Sequence, residues 1–134
     1  MISTELAREL RLTGLLWHPA SGDAFLIERA ELESDVFTVS DMTIEPHEFD
    51  TGTILGFNGT TEWALDSLAL EDALWLPRED QLRELLGASF GALRRLGSDR
   101  FEVDTVHDGA VSTCEAPSPA DAYAVALLSV LVPQ

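Results

Sequence analysis

The side chains that could carry chemistry in this chain are concentrated between residues 41 and 50. Asp41, Glu45 and His47 lie close together there, with further carboxylates following up to residue 50. Carboxylates and imidazole are common ligands of divalent metals, and residues 45 and 47 would share one face of an extended segment. Metal-assisted hydrolysis is therefore the candidate reaction. However, Pro46 interrupts the segment and the spacing fixes no coordination geometry, so we predict a solvated strand edge without a bound metal.

Motifs of well-known catalytic sites are missing from the sequence. A P-loop requires a lysine, and all eight basic residues of this chain are arginines. The sequence also has no Gly-x-Gly-x-x-Gly, Gly-x-Ser-x-Gly or His-Glu-x-x-His motif. Cys114 lies in a predicted strand, where a small core residue is expected. We therefore predict no catalytic residue and no cofactor, and we favour a non-enzymatic role over an enzyme.

Tryptophans are the other side chains that could mark a functional surface. Trp17 and Trp75 lie in apolar stretches, and for Trp75 we expect burial against the following helix or the sheet. Trp63 follows Glu62 in a predicted short, more polar helix that begins after a turn at Asn58. Because tryptophan is a common anchor of protein interfaces, Trp63, Glu62 and Asn58 are the candidate binding residues.

The charge of the chain restricts its partners. There are 24 acidic and 8 basic residues, which gives a formal net charge of -16. Binding to nucleic acids requires cations that displace the counterions of phosphates, so direct binding to DNA or RNA is not expected. Anionic membranes are disfavoured for the same reason. An acidic, solubilising surface is the plain interpretation, and a basic protein partner or mimicry of a nucleic-acid backbone are the alternatives.

The length and the single cysteine bear on the number of domains and on the cellular compartment of the chain. With 134 residues the chain is expected to form one domain, residues 1–134. One cysteine cannot form an internal disulfide, and no apolar run reaches the roughly 18–20 residues that cross a bilayer. The first residues lack the pattern of a signal peptide. We therefore expect a bacterial or archaeal cytoplasmic protein.

Three segments carry helix signals. Ser3 is a cap for a helix over residues 4–13, and Ser118 is a cap for a helix that begins at Pro119. A third helix is expected from Pro77, as its first residue, to a stop at Gly87. The apolar spacing predicts the buried positions of the last two helices as Leu82, Leu85, Leu86, Tyr123, Ala126, Leu127, Val130 and Leu131.

Short strands separated by turns occupy much of the remaining chain. A hairpin is predicted from residues 15–17 and 24–27, and residues 43–49 are expected as an edge strand or an irregular link because of Pro46. Residues 68–72 are expected as a link. Further strands are predicted over residues 36–40, 54–57, 73–76, 92–96, 101–106 and 110–115. The predicted fold is α+β, a mostly antiparallel sheet of short strands with about three helices packed on one face.

Two stretches of the sequence, residues 57–67 and residues 73–83, resemble a family of small uncharacterised bacterial proteins. Some members are labelled "pilus assembly protein", and the likeness extends over nearly the whole chain. The ATPase that bears this name requires a nucleotide-binding loop, which this chain lacks. The resemblance implies a bacterial protein and assigns no catalytic residue.

These observations favour a non-catalytic protein-interaction domain with an unidentified protein partner, for which the charge favours a basic protein. The alternatives are a small metal-assisted hydrolase that uses the acids and the histidine of residues 41–50, and an acidic nucleic-acid mimic.

Overall fold

A computed structural model describes residues 1–28, 35–39, 44–49, 52–57 and 67–132, with residues 44–49, 52–57 and 67–68 as backbone. The chain groups into two compact units, Leu16–Leu76, and Met1–Leu15 with Pro77–Gln134. The described segments contain three α-helices and nine strands, and every strand pair is antiparallel. The α+β prediction is confirmed, whereas a single domain over residues 1–134 stays a prediction.

The unit Leu16–Leu76 contains two three-stranded sheets. The first has the order β2-β1-β6, formed by β1 (Ala24–Ile27), β2 (Val36–Thr38) and β6 (Ala73–Leu76). The second has the order β3-β4-β5, formed by β3 (Ile44–Phe49), β4 (Gly52–Phe57) and β5 (Ser67–Ala69). Pro46 lies in β3, at one edge of its sheet, where its missing N–H removes no bond of the ladder. The edge position expected for this segment is confirmed.

An aromatic row forms the core of the first sheet. Phe25 of β1 is opposite Phe37 of β2 on one side and opposite Trp75 of β6 on the other. Since residues directly opposite each other share a face of the sheet, these three rings line one face. The rings of Phe25 and Phe37 are 5.7 Å apart, and Trp17, from the chain before β1, packs 5.4 Å from Phe25. Ile27, Val39 and Ala73 complete the buried cluster.

The second unit combines three helices with one sheet. Its helices are α1 (Thr4–Leu12), α2 (Glu79–Leu86) and α3 (Pro119–Leu131). Its sheet has the order β7-β8-β9, formed by β7 (Phe90–Gly97), β8 (Arg100–His107) and β9 (Ala110–Ala116). Both links in the sheet are tight turns, so the three strands form a meander.

Helix α3 is the central element of this unit. It contacts α1, α2, β8 and β9, and it has buried residues on nearly all sides: Ala120, Ala122, Tyr123, Ala124, Ala126 and Leu127. The predicted stripe is therefore only partly right, because Val130 is half-buried and Leu131 is exposed. The four alanines of the helix let neighbouring elements approach closely, so burial is not confined to one stripe.

The predicted helix signals are largely confirmed. The Ser3 hydroxyl accepts a hydrogen bond from the N–H of Leu6, and α2 ends at Gly87, whose φ of +55° favours glycine. Pro77, however, is not the first residue of α2. The helix begins at Glu79, because the N–H of Arg78 donates to the Gln81 side chain and makes Arg78 the cap. Leu85 is also 41% exposed, so only Leu82 and Leu86 form the buried face.

The cap of α3 leads to a prediction about stability. The Ser118 hydroxyl accepts from the N–H of Asp121, and the Asp121 carboxylate accepts from the N–H of Ser3 in the same unit. Ser118→Ala should lower the free energy of unfolding by about 1 kcal/mol without changing the fold, measured by denaturant melts of the helical circular dichroism. Ser129→Ala in the same helix, where the hydroxyl bonds to the Ala126 carbonyl, is the matched control. Equal melts of the two variants would show that Ser118 is not a stabilising cap.

Two predictions are wrong, one of a strand and one of a link between elements. Residues 15–17 are irregular and form no hairpin with residues 24–27. A strand has two edges, and both edges of β1 are occupied, by β2 and β6. Residues 68–72 are also not a simple link, since β5 ends at Ala69 and a 3-10 turn follows over Leu70–Asp72. The predicted turn at 58–59 and the short helix around Trp63 lie outside the described residues.

Candidate interaction surface

Most of the site residues proposed from the sequence lie outside the described residues. This applies to the binding candidates Asn58, Glu62 and Trp63 and to the metal candidate Asp41. The other two metal candidates belong to β3, where the backbone of Glu45 pairs with Gly56 and that of His47 with Ile54. Within the described part of the chain, no group of three or more His, Cys, Asp or Glu residues is placed to hold a metal ion.

Two tryptophans pack inside their unit, since Trp17 lies against the buried cluster and Trp75 stacks on Trp17. Trp17 and Trp75 stack with ring centroids 6.4 Å apart and ring planes 7° apart. Trp75 was expected to be buried, and its side chain is half-buried in the structure. Packing on Trp17 contributes to this burial. The Trp75 indole nitrogen is buried and finds no hydrogen-bond partner among the described residues. These two side chains pack inside the unit, so neither is a free anchor.

Asp23 is a buried carboxylate that the sequence did not single out. It is 3% exposed, and its Oδ2 accepts from the Trp17 indole nitrogen at 2.9 Å and from the N–H of Ala20 at 3.1 Å. Its backbone also bonds to the residue after β2, since the N–H of Val39 donates to the Asp23 carbonyl at 2.8 Å. The carboxylate therefore fixes the loop before β1 and orients Trp17, which is a structural role.

The hairpin of β8 and β9 is the most regular feature of the second unit. Its two turn residues, Asp108 and Gly109, have φ values of +51° and +79°, the combination of a type I′ turn. The strands then pair without a shift from His107 opposite Ala110 to Phe101 opposite Ala116. The Asp-Gly sequence favours this turn, because both residues tolerate positive φ better than most others.

The turn determines which backbone groups of β9 remain free. In a two-residue hairpin the flanking pair, His107 and Ala110, is hydrogen-bonded, and along an antiparallel ladder bonded and non-bonded pairs alternate. The backbone N–H and C=O groups of Val111, Thr113 and Glu115 therefore point away from β8. We refer to these outward groups of Val111, Thr113 and Glu115 as the β9 edge. Among the described strands, β9 pairs with β8 alone.

The β9 edge is accessible. Five of the seven residues of β9 are exposed, and the Val111 side chain is 67% exposed. The strand contains no proline, lysine or arginine, and its single charge, Glu115, is held at 2.6 Å by Arg100. An edge of this kind is a ready template for an additional strand.

A network of ion pairs covers the sheet face that includes Thr113. Arg94 binds the Asp104 carboxylate through two nitrogens at 2.6 and 2.7 Å, and the Thr113 hydroxyl donates to the same carboxylate at 2.7 Å. The guanidinium of Arg94, followed by the Thr113 hydroxyl, lowers the pKa of Asp104 to about 2. The network therefore stays ionised at neutral pH and holds the three strands of the meander together.

Arginines also neutralise a like-charge pair in this sheet. Glu102 of β8 is directly opposite Glu115 of β9, an arrangement that is destabilising by itself. Arg94 lies 3.4 Å from Glu102, and Arg100 donates a hydrogen bond to Glu115. This hydrogen bond is the main reason why the pKa of Arg100 is raised. As a result, the surface beside the β9 edge is nearly balanced in charge although the whole chain is strongly acidic.

The opposite edge of the same sheet is protected. The pairing of β7 with β8 shifts twice, between Phe90 and Ala92 and again between Arg95 and Gly97. Bulges twist an edge and interrupt its regular hydrogen-bonding pattern, and a strand charge such as that of Arg95 opposes further pairing. Only β9 combines an open edge with an unbroken register among the strands of this sheet.

Shallow cavities formed by described residues of this unit include two of about 350 Å³ or slightly less. One lies beside the end of α2, where the Arg83 guanidinium is 5.0 Å from the centre of the Phe90 ring. The other is lined by Thr105, Ser112 and Ser129 together with His107. The first cavity is bounded by the contact between Arg83 and Phe90, and the second cavity lies against the hairpin that carries the β9 edge.

The β9 edge was not found from the sequence, although its strand and its turn were predicted. Alternation and an Asp-Gly turn indicate a hairpin, but whether a strand is central or at an edge depends on pairing between distant segments.

In the described helices, none is long and apolar enough to cross a membrane. In comparisons with known proteins, no family model, no curated protein and no solved structure matches the chain.

Proposed function

We propose that the chain is a non-catalytic protein-interaction domain that binds an extended segment of a protein chain at the β9 edge. The observation that carries the proposal is the contrast between the two edges of one sheet. β7 is bulged and bears adjacent arginines, whereas β9 is regular, exposed and without strand-breaking residues. Addition of a strand to such an edge is a common mode of peptide recognition, in which main-chain hydrogen bonds supply the affinity.

The chemistry of the edge indicates what a bound segment requires. It must be extended and must offer alternating N–H and C=O groups to Val111, Thr113 and Glu115. Opposite Val111 a side chain with aliphatic carbons is favoured, because this valine is 67% exposed and would bury its apolar surface against them. A basic partner, expected from the net charge, stays a prediction. The acids beside the edge are already paired with Arg94 and Arg100, so the edge itself does not select for a basic segment.

The test uses a proline that removes one outward N–H and no bond to β8. Val111→Pro should abolish capture of a protein partner from an extract of the source cells, because the N–H of residue 111 points away from β8. Val111→Thr keeps the N–H and a β-branched side chain, so it should capture the same partner. Circular dichroism and melting curves should show that both variants are folded. If the folded proline variant captured the same partner as strongly as the parent, the proposal would be wrong.

A further inference from the structure

We propose, on the basis of the proposed binding mode, that the segment at the β9 edge is β9 of a second copy of this chain. Two meanders would then join into one antiparallel sheet across a two-fold axis that passes beside Thr113. A two-fold contact uses the same patch on both molecules, so the patch must be complementary to itself. The β9 edge meets this condition in its backbone, its side chains and its charges.

The backbone groups match in one register. When Thr113 is placed opposite Thr113 of the second copy, Val111 is opposite Glu115 of the second copy, and Glu115 is opposite its Val111. Each of these residues points its N–H and C=O outward, as the hairpin geometry shows. Every outward N–H of one copy therefore meets an outward C=O of the other, and no outward group within Val111–Glu115 is left unpaired.

The side chains also fit this register. The single charge of the strand, Glu115, is opposite a valine, so no like charges meet across the axis. On the other face Ser112 is opposite Cys114 of the second copy, and both side chains are small. Thr113 is opposite itself, a pair that is favourable in antiparallel sheets. The row from Arg94 through Asp104 to Thr113 would continue into the same row of the second copy.

Charge opposes this association at long range. Each chain has a formal net charge of -16, so two copies repel each other, although the acids beside the edge are paired with arginines. Salt screens this repulsion, with a Debye length of about 8 Å at physiological ionic strength. The dimer should therefore become tighter as salt is added, whereas binding to a basic partner should become weaker.

Sedimentation over a range of protein concentrations tests the inference. The parent and Val111→Thr should form dimers whose dissociation constant falls from low to physiological ionic strength. Val111→Pro should raise this constant about tenfold or more, because outward hydrogen bonds are lost on both sides of the axis. A dimer that the proline variant forms equally well, or that weakens with salt, overturns the inference.

Disulfide trapping tests the register. Ser112→Cys should form a covalent dimer on mild oxidation, because residues 112 and 114 face each other as a non-bonded pair with Cα atoms about 4.5 Å apart. Ser112→Cys combined with Cys114→Ser should form none, since each introduced thiol is then opposite a serine. Equal cross-linking by both variants would place the strands in another register and overturn the inference.

The two proposals can fail separately. If the parent remains monomeric at every concentration and salt level, the second copy is not the partner, and the inference is wrong. Binding at the β9 edge would still be supported in that case if Val111→Pro lost a partner from the cell extract that Val111→Thr retained. If neither self-association nor capture depends on Val111→Pro, both proposals are wrong.

Discussion

Phe25→Ala is expected to lower the free energy of unfolding by about 3–5 kcal/mol, the usual range for removing a buried aromatic side chain. Phe25 is fully buried on the central strand of its sheet. Its ring packs 5.4 Å from Trp17 and 5.7 Å from Phe37, and in the ladder it is opposite Trp75. Neighbours on three sides cannot all move into the space that an alanine leaves, so a cavity should remain.

Tryptophan fluorescence is a suitable probe for this variant. Trp17 and Trp75 belong to the unit Leu16–Leu76, so their emission reports on the unit that contains Phe25. Val36→Ala on the neighbouring strand is the matched control, because Val36 is 47% exposed and its truncation should cost less than about 1 kcal/mol. If the two denaturation midpoints were equally displaced, the aromatic row would not be the core of this unit.

Local signals in the sequence were sufficient for most of the secondary structure. Ser118 and Pro119 specify the start of α3 through short-range hydrogen bonding and a fixed φ, and both are found in these roles. The strand at Ala73–Leu76 and the stop at Gly87 were predicted for similar local reasons. Such signals depend on residues within one or two turns, so the sequence displays them directly.

Pairing between distant segments could not be predicted in the same way. The apolar residues 15–17 suggested a strand, yet β1 finds its neighbours in Val36–Thr38 and in Ala73–Leu76, the second of which follows almost fifty residues later. A strand has only two edges, so these pairings exclude residues 15–17 from the sheet. Trp17 is instead packed over the aromatic row, with its indole N–H bonded to Asp23.

The candidate interaction surface could also not be predicted from local sequence signals. The sequence directed attention to Trp63 and to the acids of residues 41–50, because unusual side chains are conspicuous in a sequence. The β9 edge is defined by the backbone groups of Val111, Thr113 and Glu115, which carry no distinctive side-chain pattern. Composition reveals charges and rings, whereas an open edge becomes visible only when the neighbours of every described strand are known.

Asp23→Ala is expected to lower the free energy of unfolding by about 2–4 kcal/mol. The carboxylate is 3% exposed and accepts hydrogen bonds from the Trp17 indole and from the N–H of Ala20. Burial of a carboxylate opposes folding, but removing it leaves donors buried beside an alanine that cannot accept. Asp23→Asn retains an acceptor oxygen and should cost less, and Asp35→Ala, at an exposed acid of the same unit, should change stability little.

A double-mutant cycle with Trp17→Phe separates the hydrogen bond from packing. Phenylalanine keeps a ring near Phe25 but has no N–H to donate, so Asp23→Ala should cost about 1–2 kcal/mol less in the Trp17→Phe background than in the parent. Unfolding of the four proteins is followed by the fluorescence of the tryptophans that remain. Additive effects of the two substitutions would show that the bond from Trp17 to Asp23 contributes no stability. The bonds between Asp23 and Ala20 and the backbone bonds to Val39 would then be among those that hold the loop before β1.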